Sequence, residues 1–251
     1  MYQVSIPNSA GRDCTGNRPG RYNDMRKIVA NTFITLDGVM QAPGGPEEDP
    51  TTGFDYGGWS VNYWDEMMAK VLMDGLLAKP FDLLLGRKTY DIFAAHWPFV
   101  KNDPDKMNAM AADKLNGAKK YVVSKTLLKA SWENSTLIKG DIVKEISNLK
   151  RQEGPEIQIH GSSDLIQTLL SHDLIDEFYV WTFPLTVGRG KRLFGGGSIP
   201  AGLKLLDCKV SKTGVIIAIY SRDGMIKTGS VALEVPTEAE IERRKRLKEE
   251  K

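Results

Sequence analysis

From about residue 25 onward, apolar positions follow two alternating rhythms: short runs of period two or continuous apolar character, and stretches where apolar residues return every three or four. The first rhythm predicts eight strands. They fall at about Arg26–Leu36, Phe81–Leu85, Lys120–Val123, Thr136–Ile138, Ile157–Ile159, Ile175–Leu185, Lys204–Lys212 and Val215–Ser221. In the first of these, Ile28, Ala30 and Thr32 alternate with Val29, Asn31 and Phe33. The second rhythm predicts helices over Trp64–Gly75, Arg87–Phe93, Pro104–Leu115, Ile142–Leu149 and Leu165–Leu170, with Met67 and Met68 as core filler. Strands alternating with helices predict an α/β fold with a mostly parallel sheet and helices on both faces. The last two strands, separated by Thr213-Gly214, predict a closing antiparallel hairpin.

Three stretches stand outside these rhythms. Residues 1–24 lack any apolar period and read as a disordered tail without chemistry. Val39–Ser60 is a loop of glycine, proline and acidic residues, too long to be a mere connection, and such loops line or cover sites. Thr237–Lys251 is almost wholly charged and reads as a solvated helix or tail. The expected organisation is one domain over residues 25–223 with a charged extension at 224–251.

Composition narrows the partners. A net charge of +2 gives no ground for nucleic-acid or membrane binding. Apolar runs are too short to cross a bilayer, and the N-terminus lacks a signal-peptide pattern, so a cytoplasmic protein is expected. Cys14 and Cys208 lie far apart and make neither a disulfide framework nor a metal site, so reduced thiols are expected. His96, His160 and His172 have no metal-ligand spacing and read as structural.

Candidate chemistry gathers at three strand ends. After the fifth strand, Gly161-Ser162-Ser163-Asp164 turns directly into a helix, an arrangement that aims unpaired amides and a helix dipole at one spot suited to a phosphate. The plainer reading is an ordinary cap by Ser163 or Asp164. After the second strand, Gly86-Arg87-Lys88-Thr89-Tyr90 puts two cations and a hydroxyl at a helix entrance, either for a phosphate or as a solvated pair. Ser124-Lys125-Thr126 repeats the theme after the third strand, and in an open α/β sheet that edge is where ligands bind.

These segments, with Leu36-Asp37-Gly38, Leu174-Ile175-Asp176-Glu177 and Pro184-Leu185-Thr186-Val187-Gly188-Arg189-Gly190-Lys191-Arg192-Leu193-Phe194, resemble the dihydrofolate reductase fold. More closely, they resemble the reductase domain of the riboflavin-biosynthesis deaminase/reductase and its stand-alone bacterial relatives, over about Met25–Arg222. The resemblance implies a three-layer α/β/α sandwich and an NADPH-dependent reductase of a small heterocycle. The expected substrate is similar to 5-amino-6-(5-phosphoribosylamino)uracil, with a dihydrofolate-type or other carbonyl or imine reductase as the alternative. A non-catalytic nucleotide-binding protein is the alternative from another class.

The resemblance also implies residue roles. Gly86, Arg87, Lys88 and Thr89 would hold the adenosine-side phosphates, Ser124 and Lys125 would lie near the ribose 2′-phosphate, and Gly161, Ser162 and Ser163 would meet the pyrophosphate. Asp37 would orient substrate or supply a proton, or simply form a turn. Asp65 or Glu66 would stand near the place of the acid that engages the pteridine in dihydrofolate reductases, and Arg189, Lys191 and Arg192 would receive a substrate phosphate, or face solvent. His160-Gly161 replaces the Gly-Gly pair of dihydrofolate reductases, which argues against folate. The apolar closing hairpin leads to the expectation of a homodimer.

Overall fold

The computed structural model describes residues 25–100, 102–195 and 198–250. The expectations for the N-terminal tail and for Cys14 lie outside the described residues. Eight strands form one sheet: β1 (Ile28–Thr35), β2 (Phe81–Gly86), β3 (Lys120–Val123), β4 (Ser135–Ile138), β5 (Glu156–His160), β6 (Glu177–Phe183), β7 (Leu203–Val210) and β8 (Ile216–Arg222). Their order across the sheet is β4-β3-β2-β5-β1-β6-β8-β7. The first six run parallel, and β8 and β7 close the sheet as an antiparallel pair. This is the mostly parallel α/β sheet, covered by helices on both faces and closed by an antiparallel hairpin, that the two rhythms lead one to expect.

The described helices are α1 (Glu66–Lys70), α2 (Arg87–His96), α3 (Lys106–Gly117), α4 (Ile142–Lys150), α5 (Ser163–Leu170) and α6 (Glu238–Glu249). One sheet face, carrying Ile28, Ala30, Ile157, Ile159 and Phe178, packs on Ile146 and Leu149 of α4 and Leu165, Ile166 and Leu169 of α5. On the other face, Leu83, Leu85 and Val122 pack on Tyr90 of α2 and Ala111 and Leu115 of α3. Farther along that face, Trp181, Phe183 and Phe33 meet Met68 of α1 and residues of the long loop. Strands buried on both sides read as continuous apolar runs, which is why β2 and β3 have no polar alternation.

The stretch Trp64–Gly75 departs from a plain helix. Only Glu66–Lys70 is α-helical, and Val71–Leu76 widens into a π-turn. Gly75 lies in that wide turn and weakens the α-geometry there. The charged C-terminal segment is helical, with no buried residue.

The strand order sets the site. β5 lies between β2 and β1, so the crossovers leaving β2 and β5 emerge side by side at the C-terminal edge. The exit of β1 stands next to them, between those of β5 and β6.

Candidate active site

Two helix starts face each other at this edge. Gly86 precedes α2 in an extended conformation, and Gly161 (φ +68°) and Ser162 (φ +63°) turn the chain into α5. Ser162 locks the two together: its Oγ accepts the Gly86 amide at 2.9 Å and donates to Thr89 Oγ1 at 2.8 Å. A side chain at Gly86 would place its Cβ only 3.3 Å from that Oγ, so glycine fits the close approach.

Capping separates these two helices from the others. Asp65 caps α1, Asp105 caps α3, Asp141 caps α4 and Thr237 caps α6, each through its side chain. Neither α2 nor α5 has a side-chain cap. The plainer reading of α5 is thereby corrected: Ser163 and Asp164 lie inside the helix, its N-cap is Ser162, and the Ser162 hydroxyl is turned toward α2 and caps nothing. Two helix starts with amides left uncapped, converging at one sheet edge, fit an anion such as a pyrophosphate.

The third crossover joins them through Arg87. Its Nε donates to both Asp91 oxygens at 2.9 and 2.7 Å, and its Nη1 lies 3.5 Å from Thr126 Oγ1 beyond β3. Ser124 Oγ accepts the amides of Thr126 (3.3 Å) and Leu127 (3.0 Å), which shapes that loop. Lys125 is exposed and has no ion pair among the described residues.

Asp37 is held by three hydrogen bonds at the exit of β1. Oδ1 accepts from the Thr35 hydroxyl at 2.5 Å and the Val187 amide at 3.3 Å, and Oδ2 accepts the Gly188 amide at 2.8 Å. Desolvation pushes its pKa up, but the hydrogen bonds from Thr35, Gly188 and Val187 together outweigh it and hold the carboxyl below its ordinary value. Through its bonds to Val187 and Gly188, Asp37 clasps the β1 exit to the loop after β6. Asp65 is likewise occupied. It accepts the Met68 amide and the Lys212 amide, both at 2.9 Å, which leaves it tied to α1 and the closing hairpin.

The basic loop after β6 folds against Val39–Ser60. Backbone bonds join Met40 to Lys191 (2.8 Å) and Leu193 to Gly38 (3.1 Å). Arg189 meets Asp55 at 2.8 Å, and Lys191 pairs with Asp49. Lys88 of α2 comes within 3.7 Å of the same Asp49. Lys88 and Lys191, which the sequence assigned to cofactor and substrate respectively, therefore share one carboxylate. Arg192 donates to the Gly188 carbonyl at 2.9 Å and lies 3.7 Å from Asp37.

Sequence reasoning missed two features. One is Asp49, an unremarkable acid in a loop of acids. The other is a polar chain across the sheet. Trp181 Nε1 donates to Asn31 Oδ1 (2.9 Å), Asn31 Nδ2 lies 3.2 Å from His160 Nδ1, and His160 Nε2 lies 2.9 Å from Gln158 Oε1. The Gln158 amide nitrogen donates onward to the Leu76 carbonyl at 2.8 Å. That order makes Nε2 the protonated nitrogen of a neutral imidazole, whose pKa burial pushes down to about 4. The alternation of polar Asn31 and Gln158 with apolar neighbours was visible in sequence, but their mutual pairing was not.

Comparison with known proteins places these motifs. The RibD C-terminal domain family matches residues 26–217. An uncharacterized protein of Bacillus subtilis (strain 168), YyaP, is 28% identical over 204 residues, covering 79% of this chain and 96% of that protein. Among solved structures, a protein of Shewanella sp. PV-4 with the provisional name of a riboflavin biosynthesis protein superposes with a TM-score of 0.58 at 20% identity, over 78% of this chain and 99% of that one. A pyrimidine reductase-like protein of Corynebacterium diphtheriae does so with a TM-score of 0.51 at 15% identity, over 85% and 97%.

Proposed function

The chain belongs to the RibD C-terminal domain family, and from that premise we propose that it is an NADPH-dependent reductase of a small heterocycle, similar in chemistry to the aminopyrimidine reduction of riboflavin biosynthesis. The observation that carries this reading is the pair of uncapped helix starts, α2 and α5, clasped by Ser162 at one sheet edge. The amides of the two helix starts would hold the dinucleotide phosphates. Arg87 and Lys125 would supply charge-assisted donors to a ribose 2′-phosphate, where an NAD enzyme would place a carboxylate.

When bound, the cofactor supplies a hydride, and the protein's work is to orient the acceptor beside it and exclude water. Phosphates anchored at the β2 and β5 exits would leave the reactive end near the exit of β1, under the loop Val39–Ser60. The clasp from Asp37 to Val187 and Gly188 would then hold the two loops that wall the substrate. Folate is not the proposed substrate, because His160, embedded between Asn31 and Gln158, stands where dihydrofolate reductases carry the first glycine of their pair. We further propose a cytoplasmic protein, in keeping with the free, exposed Cys208.

The test follows NADPH absorbance with a panel of aminopyrimidine, pterin and imine acceptors. Saturable oxidation on an aminopyrimidine is expected, and NADPH binding without turnover on any acceptor refutes the enzyme. Arg87→Ala should weaken NADPH by about tenfold or more while leaving NADH nearly unchanged, since the lost partner is a phosphate. Equal weakening of both counts against the assignment.

A further inference from the structure

The substrate side of the same edge bears on substrate class. Every cation expected to take a substrate phosphate is already engaged by the chain itself: Arg189 by Asp55, Lys191 by Asp49, and Arg192 by the Gly188 carbonyl beside Asp37. Lys88, the other cation reaching this region, shares Asp49. These four cations thus share the three carboxylates Asp37, Asp49 and Asp55, and each already has a carboxylate of the chain within 4 Å.

A phosphate monoester carries about −1.5 to −2 charges near neutral pH and calls for donors in surplus. Here it would have to take Lys191 from Asp49, whose side chain is only 13% exposed. Asp49 would then keep as side-chain partners only the Thr51 hydroxyl at 2.5 Å and Lys88 at 3.7 Å, a poorer set for a carboxylate largely withdrawn from water. Releasing Arg189 is cheaper, because that pair is exposed, but it would bare Asp55 beside the incoming anion. The exchange would also undo links that fasten Val39–Ser60 to α2 and to the loop after β6. The cofactor side differs in two respects: its helix starts are uncapped and Lys125 has no ion pair among the described residues, while Arg87, paired with Asp91 at an exposed position, can exchange that partner without burying a bare carboxylate.

We infer that the substrate of this reductase is an uncharged heterocycle without a phosphate ester, the basic loop serving to fasten the loop over the site and not to receive a substrate anion. This rests on the reductase reading above. It separates the chain from an enzyme of ribosyl phosphates, and the class of reaction that supplies its substrate would be one that yields a free base, a nucleoside or a comparable neutral ring.

The test uses the full chain. NADPH loading is first measured by quenching of tryptophan emission, and the loaded protein is then titrated calorimetrically with ribose 5-phosphate and with ribose. Ribose 5-phosphate is expected to bind no more tightly than ribose, within about threefold. The double variant Asp49→Asn/Asp55→Asn frees Lys88, Lys191 and Arg189 and should bind ribose 5-phosphate at least about tenfold more tightly than the parent. A parent that prefers ribose 5-phosphate by about tenfold, or a folded double variant that gains nothing, overturns the inference. Asp55→Asn alone, at an exposed pair, gives a smaller gain of the same sign and serves if the double variant does not fold. The two failures read separately: a chain that does not bind NADPH refutes the reductase, whereas one that binds NADPH and prefers ribose 5-phosphate refutes only the uncharged substrate.

Discussion

Ser162 holds φ +63° and ψ +58°, a left-handed conformation that costs a residue with a Cβ about 1 kcal/mol or more. The cost is offset because only this turn lets one hydroxyl reach both Gly86 and Thr89. Neighbouring His160 links protonation to the fold. Its folded pKa, pushed down to about 4 by burial, lies below the ordinary 6.5, so the unfolded chain takes up the proton first as pH falls. Its contribution is fully present above pH 6.5 and is lost progressively down to about 4. The denaturant midpoint should therefore drop between pH 6.5 and 4.5 in the parent and drop less in His160→Gln. Identical pH profiles would show that the imidazole is not linked to folding. The types Gly161, Ser162 and Ser163 were legible as a tight turn from strand into helix. The pairing of His160 with Asn31 was not, because 129 residues separate them and strand register brings them together.

Helix starts sort the elements into two groups, those that cap themselves and those that do not. Asp65 belongs to the first group, with one oxygen on the Met68 amide of α1 and the other on the Lys212 amide by the closing hairpin. Asp65→Ala should lower stability by about 1 kcal/mol or somewhat more, as expected for a lost cap, while NADPH affinity and turnover per folded molecule stay unchanged. Denaturant unfolding and steady-state kinetics check both halves, and a fall in turnover with stability intact would return Asp65 to the substrate site. The family resemblance marked Asp65 or Glu66 as an acid by the first helix, where a ligand-binding acid would stand. A cap and a ligand-binding acid occupy the same place in sequence, and only the direction of the carboxylate distinguishes them. The same limit applies to the π-turn at Val71–Leu76, since a one-residue widening leaves the apolar period almost intact.

Across the whole molecule, the sheet ends on β7, an edge strand exposed along its full length, with Leu205 and Leu206 about half exposed. An open edge with leucines is a surface that proteins usually cover, and we propose that a second copy covers it. Light scattering should give twice the chain mass of 27.9 kDa, and Leu205→Lys with Leu206→Lys should return it to one chain. A parent mass of one chain at all concentrations refutes the dimer. The sequence by itself determined the α/β alternation, the two faces of the sheet and the three strand ends that carry Gly86-Arg87-Lys88-Thr89, Ser124-Lys125 and Gly161-Ser162-Ser163. These follow from local periodicity and turn chemistry, which neighbouring residues impose on one another. Only the tertiary structure decided that α2 and α5 go uncapped, that Asp37 is a clasp, and that Lys88, Arg189 and Lys191 spend their charge on Asp49 and Asp55. The physical reason is that a charge or hydroxyl takes whichever partner the folded chain brings within about 3 Å, and for these groups that partner lies tens to more than a hundred residues away.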